Sequence, residues 1–144
     1  MQDETIGETL HRVENQIWRK MDSIAAAYGI TVGQHVILGY LIQHESQGDI
    51  FQRDIEAVFD VRRSSVSHVI CLLEKREYVW RSGVDTDARL KKISITQKGR
   101  QIYRKVLSRL QEVEQSLDDV FVDEQERALF LDMLQRLSER IQLL

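Results

Sequence analysis

Basic side chains are concentrated in one stretch of the chain, between residues 61 and 105. Twelve of the 20 Lys and Arg residues lie there, together with four of the 23 Asp and Glu residues. The stretch therefore carries a net charge of +8, whereas the rest of the chain carries −11 and the whole protein −3. A cationic segment on an acidic support is typical of a module that binds a polyanion such as nucleic acid. The alternative is a solvated helical surface without a ligand.

The same stretch contains a helix whose polar face could approach nucleic-acid bases. Apolar residues at helical spacing predict its buried face: Val66, Val69, Ile70 and Leu73. At about 100° per residue, the opposite face carries Ser64, Ser65, His68 and Leu72, with Ser67 and Cys71 at its margin. Serine hydroxyls and an imidazole are small enough to lie close to base edges in a major groove. We therefore predict that this helix is a recognition helix.

The elements around this helix have the order of a winged helix-turn-helix, in which a β-hairpin, the wing, follows the recognition helix. Another predicted helix precedes it. After Lys75 the pattern changes to period two, and Ile93 and Ile95 alternate with polar neighbours, as in a half-buried strand. Residues 84–89 are predicted to form the loop between the two strands. The predicted fold class is therefore mainly α with a small β-wing.

Long amphipathic helices are predicted on both sides of this winged lobe, which comprises residues 31–96. Residues 1–30 and 97–144 carry apolar stripes at helical spacing, and together they form the predicted helical dimerisation region. The stripe residues expected at a dimer interface are Ile6, Leu10, Val13, Ile17, Phe130, Leu134, Leu137 and Ile141. Packing within one chain is the alternative, but stripes at both ends favour a homodimer. The whole chain, residues 1–144, is predicted to be a single domain.

The motifs of the chain resemble those of the MarR family of transcriptional regulators, the multiple-antibiotic-resistance type. The resemblance is specific between Asp54 and Gly99. Its motifs are Arg63-Ser64-Ser65-Val66-Ser67, Leu73-Glu74-Lys75, Val79-x-Arg81, Asp87-x-Arg89 and Ile95-Thr96-x-x-Gly99. Glu77 stands where the family usually has glycine, so the recognition helix is expected to end without a residue suited to left-handed backbone.

The resemblance implies an obligate homodimer that binds a pseudo-palindromic operator in double-stranded DNA. Such a regulator is usually a repressor, often released by a small phenolic or lipophilic effector or by oxidation. Arg89 resembles the arginine that enters the minor groove, where a narrow groove concentrates negative potential, and Asp87 is expected to orient the wing. The positions facing the major groove correspond to Ser64, Ser65, Ser67 and His68. Phosphate contacts are assigned to Arg62, Arg81, Lys91 and Lys92.

An effector pocket is predicted where the long helices meet the winged lobe. Its candidate lining residues are aromatic side chains with a polar group: Trp18, Tyr28, His35, Tyr40 and Tyr103. The alternative for each of them is an ordinary place in the core or at its rim. Cys71, on the recognition helix, is interpreted as a packed, inert thiol rather than a redox sensor.

Other functional classes find little support in the sequence. The four histidines form no i, i+4 pair suited to zinc, and we predict neither a metal site nor a cofactor. No phosphate-binding glycine loop or nucleophile–base constellation is present, and no enzyme is predicted. The single cysteine, together with the lack of a signal sequence and of an apolar run of roughly 20 residues, predicts a cytoplasmic protein without membrane contact. The remaining hypotheses are an effector-insensitive or architectural DNA-binding protein and a protein-interaction module on the winged fold.

Overall fold

The computed structural model describes residues 4–59, 63–84 and 87–144, and of Phe59, Arg63, Ser64, Val84 and residues 87–89 it describes the backbone alone. The elements are α1 (Ile6–Ala26), α2 (Val32–His44), a 3-10 turn (Glu45–Gln47), α3 (Gln52–Phe59), α4 (Arg63–Lys75), β1 (Val79–Val84), β2 (Asp87–Ile95), α5 (Gln97–Asp118) and α6 (Glu124–Gln142). The predicted fold class is confirmed, because the described chain is mainly helical with a two-stranded antiparallel wing. The predicted recognition helix is α4.

The chain divides into two compact units, residues 1–108 and residues 109–144, and the division falls within α5. The first turns of α5 belong to the first unit because Ile102 and Tyr103 pack against its core. The segment boundary predicted between residues 96 and 97 corresponds instead to the start of α5.

Helix α2 is the central element of the first unit, since it is buried over most of its circumference. Its buried apolar residues are Val32, Ile37, Leu38, Gly39 and Leu41. The same core includes Ile55 of α3, Ile70 of α4 and Ile93 of β2. Burying an aliphatic side chain of this size contributes about 1.5–3 kcal/mol. The position of the recognition helix is therefore set mainly by its packing in this core.

Polar contacts fix the junction between α1 and α2. Asp22 of α1 accepts a hydrogen bond from the backbone N–H of Val32 at 2.9 Å, which satisfies one of the free donors at the start of α2. Gly29 adopts a left-handed conformation with φ of +77° in the connection. Its carbonyl accepts a hydrogen bond from the Arg76 guanidinium, just beyond α4. This contact connects the end of the recognition helix to the α1–α2 turn.

The wing is a hairpin with a bulge near its tip. Its regular pairs are Val79 and Ile95, Trp80 and Ser94, Arg81 and Ile93, Ser82 and Lys92, and Gly83 and Lys91. The register then shifts, and Val84 pairs with Asp87. The prediction of a loop over residues 84–89 was wrong for Val84 and for residues 87–89, which belong to the strands, while residues 85–86 lie outside the described residues. The backbone of Asp87 and Arg89 therefore belongs to β2.

The second unit consists of the end of α5, a short turn and α6. Asp123 caps α6 by accepting a hydrogen bond from the N–H of Glu126 at 2.8 Å. Arg127 of α6 bridges back to Asp118 of α5 at 2.7 Å. Large apolar side chains nevertheless lie exposed along this unit: Val120, Val122, Leu129, Phe130, Leu131, Met133, Ile141, Leu143 and Leu144.

The turn between α4 and β1 places a non-glycine residue in left-handed backbone. Glu77 has φ of +62°. Its N–H donates to the carbonyl of Glu74, and the N–H of Tyr78 donates to the carbonyl of Leu73, both at 2.9 Å. These two bonds form a Schellman motif, which usually has glycine at the position of Glu77. The helix therefore ends in the usual geometry without the usual residue, at a local cost of about 1 kcal/mol.

We expect Glu77→Gly to raise the free energy of unfolding by about 0.5–1 kcal/mol, because glycine adopts this backbone conformation without the steric penalty. The contact of Glu77 with Lys98, at 3.8 Å between exposed groups, is too weak to offset the gain. Urea denaturation measures the difference. The control Lys75→Gly, at the last residue of α4, should instead lower the stability, by at most about 1 kcal/mol. A Glu77→Gly protein less stable than wild type would contradict this account of the turn.

Candidate nucleic-acid interface

Helix α4 separates a buried face from a polar face. Val66, Ile70 and Leu73 are buried against the rest of the lobe. On the outer side, Ser65 and His68 are exposed and Ser67 is partly exposed. The side chain of Ser64 and all of Arg62 lie outside the described residues. An exposed row of small polar groups on a helix with a rigid apolar back is suited to a DNA major groove.

The lysines predicted to contact phosphates, Lys91 and Lys92, lie on opposite faces of the hairpin, because successive side chains of a strand alternate. Lys92 shares its face with Trp80 and makes an ion pair with Asp49 at 2.8 Å, beyond the 3-10 turn. Lys91 shares its face with Arg81 and is exposed. The two lysines therefore cannot approach one DNA groove in the same way.

Arg81 is held within the protein by Glu74 of α4. Its Nη2 lies 2.7 Å and its Nε lies 2.8 Å from the same carboxylate oxygen, Oε2. A guanidinium engaged in this way is already partly neutralised. The side chains of Asp87 and Arg89, which were predicted to orient the wing and to enter the minor groove, lie outside the described residues.

Three of the five predicted effector-pocket residues line one cavity of about 470 Å³ in the first unit: His35, Tyr40 and Tyr103. Trp18 lines a second, more apolar cavity of about 300 Å³, which also borders Ser65, Val66 and Val69 of the recognition helix. Tyr28 is partly buried and lines neither of these two cavities. Four of the five predicted residues are therefore divided between two cavities rather than gathered in one.

The first cavity is bordered by stacked aromatic rings. His35 stacks on Tyr103 with 4.6 Å between ring centroids, and His44 stacks on Tyr40 at 4.2 Å. A Cβ at Gly39 would lie 3.0 Å from the Tyr103 ring, so a residue without a side chain lets this ring approach α2 closely. Such a cavity could accept a planar aromatic molecule between or beside these rings.

His35 is a buried polar residue without a full set of partners. Only 6% of its surface is exposed, and its Nδ1 has no hydrogen-bond partner in the described part of the protein. Burial lowers the pKa of His35 below its ordinary value of 6.5, because a charged imidazolium would lose its hydration there. His35 is therefore neutral in the folded protein near pH 7.

The described residues were also compared with the requirements of a metal site, a reactive thiol and a membrane-spanning helix. Among residues 4–59, 63–84 and 87–144, no group of three or more His, Cys, Asp or Glu side chains could hold a metal ion. Cys71 is a free, half-buried thiol. None of the helices in the described ranges combines the length and the apolar character needed to cross a membrane.

The ion-pair partners at this surface were missed by the sequence analysis. Asp49 pairs with Lys92, and Glu74 pairs with Arg81. Glu74 also belongs to the Leu73-Glu74-Lys75 motif of the sequence. Glu45 and Arg100 form a further pair, in which Arg100 holds the pKa of Glu45 below its usual range. The partners are separated by 7 to 55 positions, so only the folded structure brings them together.

We expect the stability of the protein to fall as the pH is lowered below about 6.5, in part because of His35. The unfolded chain takes up a proton near that pH, whereas the folded chain resists protonation until its lowered pKa is reached. The variant His35→Phe should show a flatter stability profile between pH 7 and pH 5, measured by urea denaturation. His11→Gln, at an exposed position, serves as the control and should leave the profile unchanged. Equal profiles for wild type and His35→Phe would contradict the assignment.

Comparison with known proteins shows which family the chain is similar to. Residues 28–90 match the sequence profile of the MarR family. Among curated protein sequences, none matches the chain. The structure matches the crystal structure of the Staphylococcus aureus MepR–DNA complex with a TM-score of 0.85 and 25% sequence identity, over 95% of this chain and 98% of that one.

Two further solved structures share the fold at lower sequence identity. MarR from Oenococcus oeni PSU-1 has a TM-score of 0.69 and 24% identity, over 94% of this chain and 99% of that one. YusO from Bacillus subtilis has a TM-score of 0.69 and 21% identity, over 93% and 92%. The sequence match, the winged helix-turn-helix and the wing motif together make the chain similar to the MarR family of transcriptional regulators.

Proposed function

We propose that this protein is a homodimeric transcriptional repressor that binds a pseudo-palindromic operator in double-stranded DNA and is released by a small-molecule effector. The observation that carries the proposal is the polar face of α4, which exposes Ser65 and His68 over a buried apolar back. This helix lies in the stretch with a net charge of +8, next to the wing. The similarity to MepR, whose structure was determined with DNA, supports the same role.

The contacts with DNA divide into two classes. Ser64, Ser65, Ser67 and His68 approach bases or phosphates in the major groove, where a hydroxyl positions more than it discriminates. The cationic residues proposed to contact the DNA backbone or the minor groove are Arg62, Arg89, Lys91 and Lys92, with Asp87 orienting the wing. Since Lys92 already has an acidic partner, its contribution to DNA affinity is smaller than that of an unpaired cation.

Exposed apolar surface in each unit supports the homodimer. In the first unit, Ile6, Leu10 and Val13 of α1 are exposed. In the second, α6 has no buried residue, and its predicted stripe of Phe130, Leu134, Leu137 and Ile141 is at least partly exposed. A second copy would cover this surface and give the two-fold symmetry that a pseudo-palindromic operator requires.

The proposed effector site is the cavity lined by His35, Tyr40 and Tyr103. Its stacked rings favour a small phenolic or otherwise planar aromatic compound. Because α2 packs against α4, a compound that separates α2 from α5 would move the recognition helix. Release of DNA would follow from a lower affinity of the bound form for the operator.

Fluorescence anisotropy with labelled promoter fragments tests DNA binding. We expect selective binding that weakens steeply with salt, by a slope of about 0.9 per phosphate contact. Arg89→Ala should weaken binding about tenfold or more without changing stability. Arg109→Ala, which removes the same charge from the second unit, should have little effect. Adding small aromatic compounds to the same assay tests the effector.

Each of the other outcomes of this experiment would favour a different function. Weak, non-selective binding would favour an architectural DNA-binding protein, and selective binding that no compound alters would favour an effector-insensitive regulator. An absence of binding at low salt would contradict the proposal and favour a protein-interaction module. Equal affinities of wild type and Arg89→Ala would contradict the role of Arg89 alone.

We expect Leu137→Asp to weaken the dimer about a hundredfold or more, because a carboxylate would become buried without a partner at the interface. Light scattering coupled to size-exclusion chromatography measures the molar mass. Ser138→Asp, at the neighbouring exposed position, introduces the same charge and should leave the dimer intact. A Leu137→Asp protein that is still dimeric at the concentration where wild type is dimeric would contradict the proposed interface.

A further inference from the structure

We propose that Glu74 and Arg81 form a positioning pair that fixes the angle of the wing relative to the recognition helix, and that Arg81 acts on DNA through this pair rather than by binding a phosphate. The inference rests on the proposed DNA-binding function. It assigns a role to Glu74, an acidic residue next to a surface that must approach a polyanion.

The geometry of the pair supports a structural role for both side chains. Two nitrogens of Arg81, Nε and Nη2, converge on one oxygen of Glu74 at 2.8 and 2.7 Å. The side chains are 28% and 36% exposed, so water screens the pair less than it screens a fully exposed one. Charge-assisted hydrogen bonds of this length are shorter and stronger than neutral ones.

The direction of the Arg81 side chain also argues against a phosphate contact. Arg81 lies opposite Ile93 in the hairpin, and residues that lie opposite share one face of a sheet. Ile93 is buried in the core, as is Val79, two positions before Arg81. Arg81 therefore extends from the inner face of the wing towards α4, whereas Trp80 and Lys92 belong to the outer face.

The base of the wing is held by the hydrogen bond from the N–H of Ile93 to the carbonyl of Ile50 and by the Lys92–Asp49 ion pair. What the Glu74–Arg81 pair adds is a link from the wing to the recognition helix itself. The chain passes from α4 to β1 through three residues, 76–78, and the central one is the strained Glu77. From Val79 to Val84 the strand extends about 16 Å, at roughly 3.3 Å per residue. A rotation of about 10° at its base would therefore move the tip of the wing by about 3 Å. That displacement is as long as a hydrogen bond, and it would withdraw the wing from its groove.

A single substitution of Arg81 cannot distinguish positioning from phosphate binding, because both hypotheses predict a loss of affinity. The informative variants are Glu74→Met, Arg81→Met and the double variant. Methionine keeps an unbranched side chain in each place, and the double variant has the net charge of wild type. Two apolar side chains in place of an ion pair can hold two elements together, whereas a single unpaired charge disfavours their contact.

If the pair positions the wing, each single variant should bind operator DNA about tenfold more weakly than wild type, and the double variant should recover to within about threefold. If Arg81 binds a phosphate, Glu74→Met should bind as tightly as wild type or more tightly. The double variant should then be as weak as Arg81→Met, with a salt slope lower by about one. Fluorescence anisotropy over a salt series measures these quantities.

The matched control is Glu45→Met, which breaks the ion pair with Arg100 elsewhere in the first unit and changes the net charge equally. It should leave operator affinity within about twofold of wild type. A loss as large as that of Glu74→Met would overturn the specific role of the Glu74–Arg81 pair. So would a Glu74→Met protein with wild-type affinity. Wild type that fails to bind any promoter fragment would instead contradict the proposed function, and the inference with it.

Discussion

The burial of α2 over most of its circumference is the constraint on which the winged lobe depends. The buried positions of α2 are apolar except for Gln34 and His35. Gln34 is accommodated because its side chain accepts a hydrogen bond from the N–H of Thr31 in a capping box. His35 is accommodated as a neutral ring against Tyr103. The helix that supports the recognition helix therefore also contains a buried titratable ring.

A second constraint acts where α4, β1 and α5 meet, and it is made largely of backbone contacts. The carbonyl of Tyr78 accepts a hydrogen bond from the N–H of Thr96 at 3.0 Å, and the Thr96 hydroxyl donates to the carbonyl of Glu77 at 2.6 Å. A Cβ on Gly99 would lie 2.2 Å from the Tyr78 carbonyl oxygen, so only glycine permits this approach. The base of the wing is thereby attached to the first turn of α5, and the recognition helix to both.

The sequence was sufficient to predict the elements and the faces of the helices, because both depend on local periodicity. The buried apolar positions of α4 are an example. Two features could not be predicted. The bulge at Val84 depends on pairing across the hairpin, and the pairing of Arg81 with Glu74 depends on where α4 ends relative to β1. The resemblance to the MarR family indicated that Arg81 matters, but not what it contacts.

The division of the predicted effector residues between two cavities also depends on contacts between elements that are distant in the sequence. Amphipathic aromatic residues can be recognised from their type and their helix, but the cavity that each borders is decided by the packing of neighbouring helices. Trp18 and Tyr103 are both aromatic residues on long helices. Trp18 shares a cavity with residues of the recognition helix, whereas the Tyr103 ring lies against Gly39 of α2.

The positions of the two tryptophans give the protein built-in optical reporters. Trp18 is 48% exposed beside α4, and Trp80 is 60% exposed on the outer face of the wing. Their indole rings lie at the two elements proposed to approach DNA, and no other tryptophan contributes to the emission. Intrinsic fluorescence of the unlabelled chain can therefore follow movements of the recognition helix and of the wing separately, once either indole is replaced by phenylalanine.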